Sequence, residues 1–421
     1  KYGFFPSVGA GWRIANENFW KETESLRFVN NLKLKASYGI LGNNNIGNYP
    51  YQSVYALGSN YVFGGVYTQG AAITTYVDPN LRWEKTRTFD FGIETGFLNN
   101  RITFNASYFD RLTKDILYQP SASFSSIFGL AVSQVNTGKV ANRGWEFELG
   151  HRNRIGNVNY FVNANFSIIH NKVKTLGMGN VTQPNGMVGN GSNLFIGYPM
   201  QMIYGYVTDG VFLTDEEVDD WADQSAIAKG SGAGDIRYVD LDGDGKVTTT
   251  DRTFLGSQIP KYNYGISAGL DWKGFDFSFL LQGVSKVSGM LSTYAGFAFW
   301  QEGNIQRWQM EGCWNVQQNN RYPEYPRLES LSNAGSRNTL TSDFWVRDAW
   351  FVKVRNIQLG YTIPTKVLSP LKINSVRAYI TLDNPFSFNG YPEGWDPEKR
   401  SNGGSYYPTM RSYTFGLTVN I

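Results

Sequence analysis

Apolar and polar residues alternate with period two through most of the chain. In RITFNASYF, Ile102, Phe104, Ala106 and Tyr108 alternate with Thr103, Asn105 and Ser107. In VNYFVNANFSI, Tyr160, Val162, Ala164, Phe166 and Ile168 alternate with Asn159, Asn163, Asn165 and Ser167; only Phe161 breaks the polar side. YTFGLTVNI sets Tyr413, Phe415, Leu417, Val419 and Ile421 against Thr414, Gly416, Thr418 and Asn420. Successive strand residues point to opposite faces, so this alternation predicts strands with one apolar and one polar face. About eleven such strands are predicted, near 4–14, 32–41, 85–98, 101–117, 140–152, 157–174, 259–271, 274–284, 349–362, 373–383 and 410–421.

The connections sort into two kinds. Tight turns at FLNNR, RNRIGN, WKGF and PTKVLSPLK alternate with long segments near 42–84, 118–139, 175–258, 285–348 and 384–409. One short-side link is looser: ANENFWKETESLRFVNN (15–31), where a helical turn is expected. A transmembrane barrel of antiparallel hairpins divides its connections this way, with turns periplasmic and loops extracellular. A soluble sandwich has no reason to sort them by strand parity. Aromatic residues near strand ends (Trp83, Phe97, Trp145, Trp272, Phe275, Trp350, Phe351 and Tyr361) fit interfacial girdles. The expected fold class is all-β, a transmembrane antiparallel β-barrel with long extracellular loops. About eleven strands with two free edges cannot sit in lipid, because edge backbone groups would lack partners, and closed single-chain barrels of this type have even counts. Residues 1–421 therefore read as one part of a larger barrel.

Composition agrees. The chain holds 46 Gly, 28 Phe, 26 Tyr and 12 Trp against 17% charged residues, which suits strands and turns. It lacks the long apolar run of a transmembrane helix, which a barrel does not need. A net charge of +3 gives no nucleic-acid footprint. One cysteine, Cys313, and two histidines, His151 and His170, exclude an intrachain disulfide and argue against a Cys/His zinc site. The opening KYGFFPSVGAGW reads as the interior of a domain rather than a signal peptide.

One motif carries chemistry. In DLDGDGKVTTTD (240–251), carboxylates stand at loop positions 1, 3, 5 and 12, with glycine at 6. Calcium takes six to eight oxygens, and such spacing lets carboxylates converge around it. Asp240, Asp242 and Asp244 would give side-chain oxygens, Lys246 its carbonyl, Thr248 an oxygen directly or through water, and Asp251 a carboxylate where glutamate is usual. Val247 is the expected apolar packing residue. The flanks read as strands, not helices, so the expected role of calcium is to staple the long loop 175–258. A solvated Asp/Gly turn is the plain alternative. Aromatic residues in 285–348, among them Trp300, Trp308 and Trp314, are weak candidates for substrate contact, since packing between loops would also use them. TDEEVDDWADQ (214–224) reads as a short acidic helix facing solvent. No triad or dyad is convincing, and GSGAGD and GMGN lack the strand–glycine–helix setting of a phosphate loop. The expectation is that the chain is not an enzyme.

These stretches resemble the C-terminal half of SusC-like (RagA/SusC-type) outer-membrane transporters, a branch of the TonB-dependent transporters. The resemblance is carried by GFFPSVGAGWRI (3–14), NNLKLKASYGILGN (30–43), DPNLRWEKT (78–86) and NTGKVANRGWEFEL (136–149). It continues through GDIRYVDLDGDGKVTTTDRTFLGSQIPKYNYG (234–265), FWVRDAWFVKVRNIQLGYTIP (344–364) and YTFGLTVNI. It implies a 22-stranded barrel around a plug, a TonB box before the plug and a SusD-like surface lipoprotein as lid. Plug, TonB box and first strands would lie outside this chain. It further implies the outer membrane of a Gram-negative bacterium and import of an oligosaccharide, or else a peptide. Pairing with a second transporter copy is also a family expectation. The family tends to end in Phe, where Ile421 stands here. The competing expectations are a β-rich adhesin or glycan-binding module and, more remotely, a glycan hydrolase.

Overall fold

The structure is a computed structural model and describes residues 2–45, 49–119, 129–177, 180–330, 337–400 and 403–420. Ile421 and the two middle residues of GMGN, 178 and 179, lie outside the described residues. Eleven long strands form one antiparallel sheet: β1 (Ser7–Arg13), β2 (Val29–Asn43), β3 (Glu84–Phe97), β4 (Ile102–Tyr118), β5 (Val135–Ile155), β6 (Val158–Thr175), β7 (Tyr262–Trp272), β8 (Phe275–Ser285), β9 (Phe351–Thr362), β10 (Ser375–Asn389) and β11 (Ser412–Asn420). Their order in the sheet is their order in the sequence. Every expected strand is present.

Register resolves the alternation into rows. One row runs Trp12, Leu34, Ile93, Ala106, Phe147, Phe166 and Tyr264 across β1 to β7. The next row, one residue along each strand, runs Arg13, Lys33, Glu94, Asn105, Glu148, Asn165 and Gly265. The first contains no charged side chain; the second contains no large apolar one. The apolar face stays uncovered, with Phe91, Trp145, Phe166, Leu270, Trp272 and Phe415 all exposed. A face this apolar and this extended belongs in lipid. The polar face satisfies itself: Lys33 and Lys35 reach Glu94 at 3.3 and 2.7 Å, and Asn105 donates to Glu148 at 3.1 Å.

The short-turn end is built as its residues dictate. In WKGF, Lys273 and Gly274 take φ of 47° and 89°, the paired positive angles that match strand twist in a two-residue hairpin. The 15–31 link carries its expected helical turn, Asn18–Glu22. β10 runs past its expected end at 383. A bulge opposite Val354 and Asn356, with Asn384 at φ 50°, lets the strand pass Pro385, which has no N–H to give a ladder.

The largest buried cluster lies at the other end, among the long segments. Trp345, fully buried, is ringed by Phe297, Tyr325 and Phe344 at 5.0–5.5 Å between ring centres. Ribbons Met202–Tyr206 with Arg252–Ser257, Thr208–Val211 with Ile236–Tyr238, and Ser288–Met290 with Val346–Asp348 frame it. Phe351, expected in a membrane girdle, is 2% exposed and belongs to this core together with Val284. It faces the loops because they fold down onto the polar side of β8 and β9. The acidic helix expected over 214–224 is a single turn, Glu216–Asp219.

Candidate functional site

The acidic loop leaves one ribbon at Tyr238 and enters another at Arg252. Short aspartate side chains wind it by accepting backbone N–H groups just ahead. Asp240 accepts Gly243 at 2.7 Å and Gly245 at 2.8 Å; Asp242 accepts Asp244 at 3.2 Å; Asp244 accepts Lys246 at 2.8 Å. These turns need Gly243 and Gly245 at φ 78° and 84°. The result gathers one carboxylate oxygen from each of Asp240, Asp242 and Asp244 within 4.8 Å of the others. The Gly245 amide, above all, holds the Asp240 carboxyl below the usual aspartate range. This concentration of oxygen and negative charge suits a hard divalent cation.

Asp251 is placed differently. It is fully buried, and its two oxygens accept Leu241 at 2.8 Å, Asp242 at 3.3 Å and Thr248 at 2.7 Å. It ties the two ends of the loop together rather than joining the three clustered aspartates. Thr248 caps the closing turn, accepting Thr250 at 3.2 Å. Lys246 stands on a short bridge to Asp223: Asp223 donates to Gly245 at 3.0 Å, and Val247 donates to Asp223 at 2.8 Å. Val247 is fully buried in the Trp345 core, as an apolar residue at that position should be.

The tryptophan candidates are packed to different extents, Trp300 and Trp308 partly and Trp314 more fully. Trp300 and Trp308 lean on the Trp345 core, and Trp308 meets Tyr325 edge-on at 5.5 Å. Trp314 is 8% exposed. The alternation did not single out two charged groupings. In one, fully buried Asp235 receives Arg327 at 2.8 Å and Asn338 at 2.7 Å. In the other, Lys353 of β9, 5% exposed, binds Asp396 at 2.6 Å and Glu398 at 2.8 Å, and Arg355 also binds Glu398. Burial pushes both carboxyls up; Lys353 and Thr409 outweigh it at Asp396, and Arg355 and Lys353 at Glu398, so both end below their ordinary values. The signal was present as two cations, FVKVRN, inside an apolar strand.

Residues 1–384 match the family described as TonB dependent receptor-like, beta-barrel. The chain is 29% identical over 447 residues to TonB-dependent receptor P3 of Formosa agariphila, covering all of this chain and 42% of that protein. It is 26% identical over 431 residues to TonB-dependent receptor SusC of Bacteroides thetaiotaomicron, covering all of this chain and 40% of that one. A solved structure of the RagAB peptide transporter shares the fold, with a TM-score of 0.75 at 23% identity over 99% of this chain and 43% of that chain. The chain spans about two fifths of the length of these curated relatives. With its sequential antiparallel strands and lipid-suited face, it belongs to the TonB-dependent receptor β-barrel family, as part of an outer-membrane barrel wall.

Proposed function

We propose that this chain is the C-terminal half of the wall of a TonB-dependent importer for a nutrient oligomer. The observation that carries this reading is the pair of adjacent rows, one apolar toward lipid and one polar toward a lumen, running unbroken across β1 to β7. Two free edges, β1 and β11, are left for the rest of a barrel to close. A plug within the lumen, TonB acting through that plug, and a SusD-like lipoprotein over the loops complete the machine. In this orientation the tight turns are periplasmic and the long loops extracellular.

The cargo we favour is an oligosaccharide. Residues 43–77 hold six tyrosines and Phe63 but no charged side chain, and Tyr61, Phe63 and Tyr67 are well exposed on a hairpin. Neutral aromatic surfaces suit sugar rings. The likeness to a structure described as a peptide transporter favours a peptide as the second reading. Uptake by cells with and without the full-length gene, fed defined oligosaccharides or peptides, decides between them. Loss of uptake on deletion and on collapse of the proton gradient is the expected result; unchanged uptake of every oligomer would overturn the importer reading.

We also propose that 240–251 holds calcium through Asp240, Asp242, Asp244 and the Lys246 carbonyl, with Asp251 closing the loop beneath. The metal would neutralise clustered carboxylates and staple an extracellular excursion.

A further inference from the structure

We propose that Arg101, Arg152 and Arg154 form a seat on the lumen wall for an acidic polypeptide segment. This rests on the importer reading, which places another part of the protein inside the wall. Register fixes the face. Gly150 pairs with Thr103 and Asn163 on the polar side, and Arg152 and Arg154 follow it at two-residue steps. The Arg152 amide donates at 2.8 Å to the carbonyl of Arg101, the turn residue just before β4. All three arginines line one recess of about 760 Å³ at the short-turn end, with Asn163 and Asp271.

These cations lack an ion pair where several others on the same face have one. Lys33 and Lys35 share Glu94, Arg377 holds Asp276 and Lys353 holds Asp396. Among the described residues no carboxylate forms an ion pair with Arg101, Arg152 or Arg154. Arg152 donates from Nε to the Asn100 carbonyl at 3.5 Å, and Arg154 to Gly156 at 3.0 Å. Asp271 stands one strand beyond Asn159, the residue opposite Arg154.

Spacing selects the partner. Arg152 and Arg154 rise about 6.7 Å apart along one strand, and Arg101 lies about 4.8 Å across the ladder. A small anion on an open wall reaches one or two such groups. Carboxylates fixed two residues apart on a strand, or one turn apart on a helix, match the whole array, each able to take a bidentate guanidinium.

The test uses the full-length protein in the outer membrane, with a photo-crosslinking residue at Asn159, alongside the variant R101Q/R152Q/R154Q. Heat-modifiable gel migration confirms that each barrel is folded. The cross-link is expected on a segment of the same protein with at least two acidic residues. In planar bilayers at about 0.15 M salt, the variant should raise the open fraction about tenfold, three exposed ion pairs each contributing modestly. The difference should shrink at about 1 M salt. Cross-links only to neutral segments, or an unchanged open fraction, overturn the seat. So does a variant that only slows release of acidic cargo, which would make the recess an exit site for solute. Failure of the unmodified protein to import in a TonB-dependent way removes the importer reading itself; normal import with unaltered variants removes only the seat.

Discussion

At the scale of single residues, Lys353 concentrates the most consequence. It sits on the lumen face of β9, almost fully buried, and holds two carboxylates from the last long loop. Among the described residues, removing the cation leaves Asp396 without an ion pair and Glu398 with Arg355 alone. Breaking a buried pair from one side costs about 3–5 kcal/mol. Lys353→Met should therefore release residues 390–411, read as faster amide exchange there with the strand ladder unchanged. Equal exchange in both proteins would remove the anchor role. Acid should act on the same contact. Both carboxyls titrate below their ordinary values when folded, so their contribution is fully present above the unfolded values, near 3.8 and 4.5, and fades as pH falls through the lower folded ones. The loop should stay docked at neutral pH and loosen below about pH 4, with Trp395 fluorescence as the reporter. Loosening on alkalinisation would contradict the sign.

At the scale of elements, the strands were legible because each must show unlike faces to unlike surroundings, and side chains repeat every second residue. Ala164 and Asn165 illustrate this: neighbours in sequence, they stand in the apolar and polar rows. Ala164→Arg should cost about 2–4 kcal/mol at mid-membrane depth, whereas Asn165→Arg, beside Glu148, should cost little. Unfolding of the full-length barrel in urea and lipid vesicles measures both; equal effects would mean the faces are assigned the wrong way round. What alternation could not reveal was tertiary. Phe351 shares the lumen-facing parity of Lys353, yet only the loops above decide whether it meets solvent or a core. Pro385 ends a strand by local rules, and only the bulge lets β10 continue. The acidic loop was legible because its spacing is local, whereas the inward placing of Asp251 depends on partners at Leu241 and Thr248. The tryptophans of 285–348 were visible as aromatic residues, but the core that Trp300 and Trp308 lean on also takes Ile236, Val247 and Tyr391 from other segments.

At the scale of the whole molecule, one core joins loop chemistry to the wall. Val247 from the acidic loop, Trp345 from the loop core, Val284 and Phe351 from β8 and β9, and Tyr391 from the last long loop share a single buried cluster. A clip at 240–251 therefore bears on the arrangement of the whole dome of loops above the lumen. If calcium binds there, its stabilisation follows the ratio of free ion to dissociation constant. For a weak extracellular site at a few times that constant, it amounts to about 1 kcal/mol. Chelation of the full-length protein should lower the melting temperature of the loop core by a few degrees, restored by calcium but not by magnesium, which resists giving up its waters. Asp242→Asn should start near the chelated value and respond less to calcium. Differential scanning with and without chelator reads all three. The wall, held by long ladders and by lipid, should melt at an unchanged temperature. Coincident loss of wall and loops on chelation would show the clip holding the barrel itself, while a melting curve indifferent to calcium would return 240–251 to a solvated Asp/Gly turn.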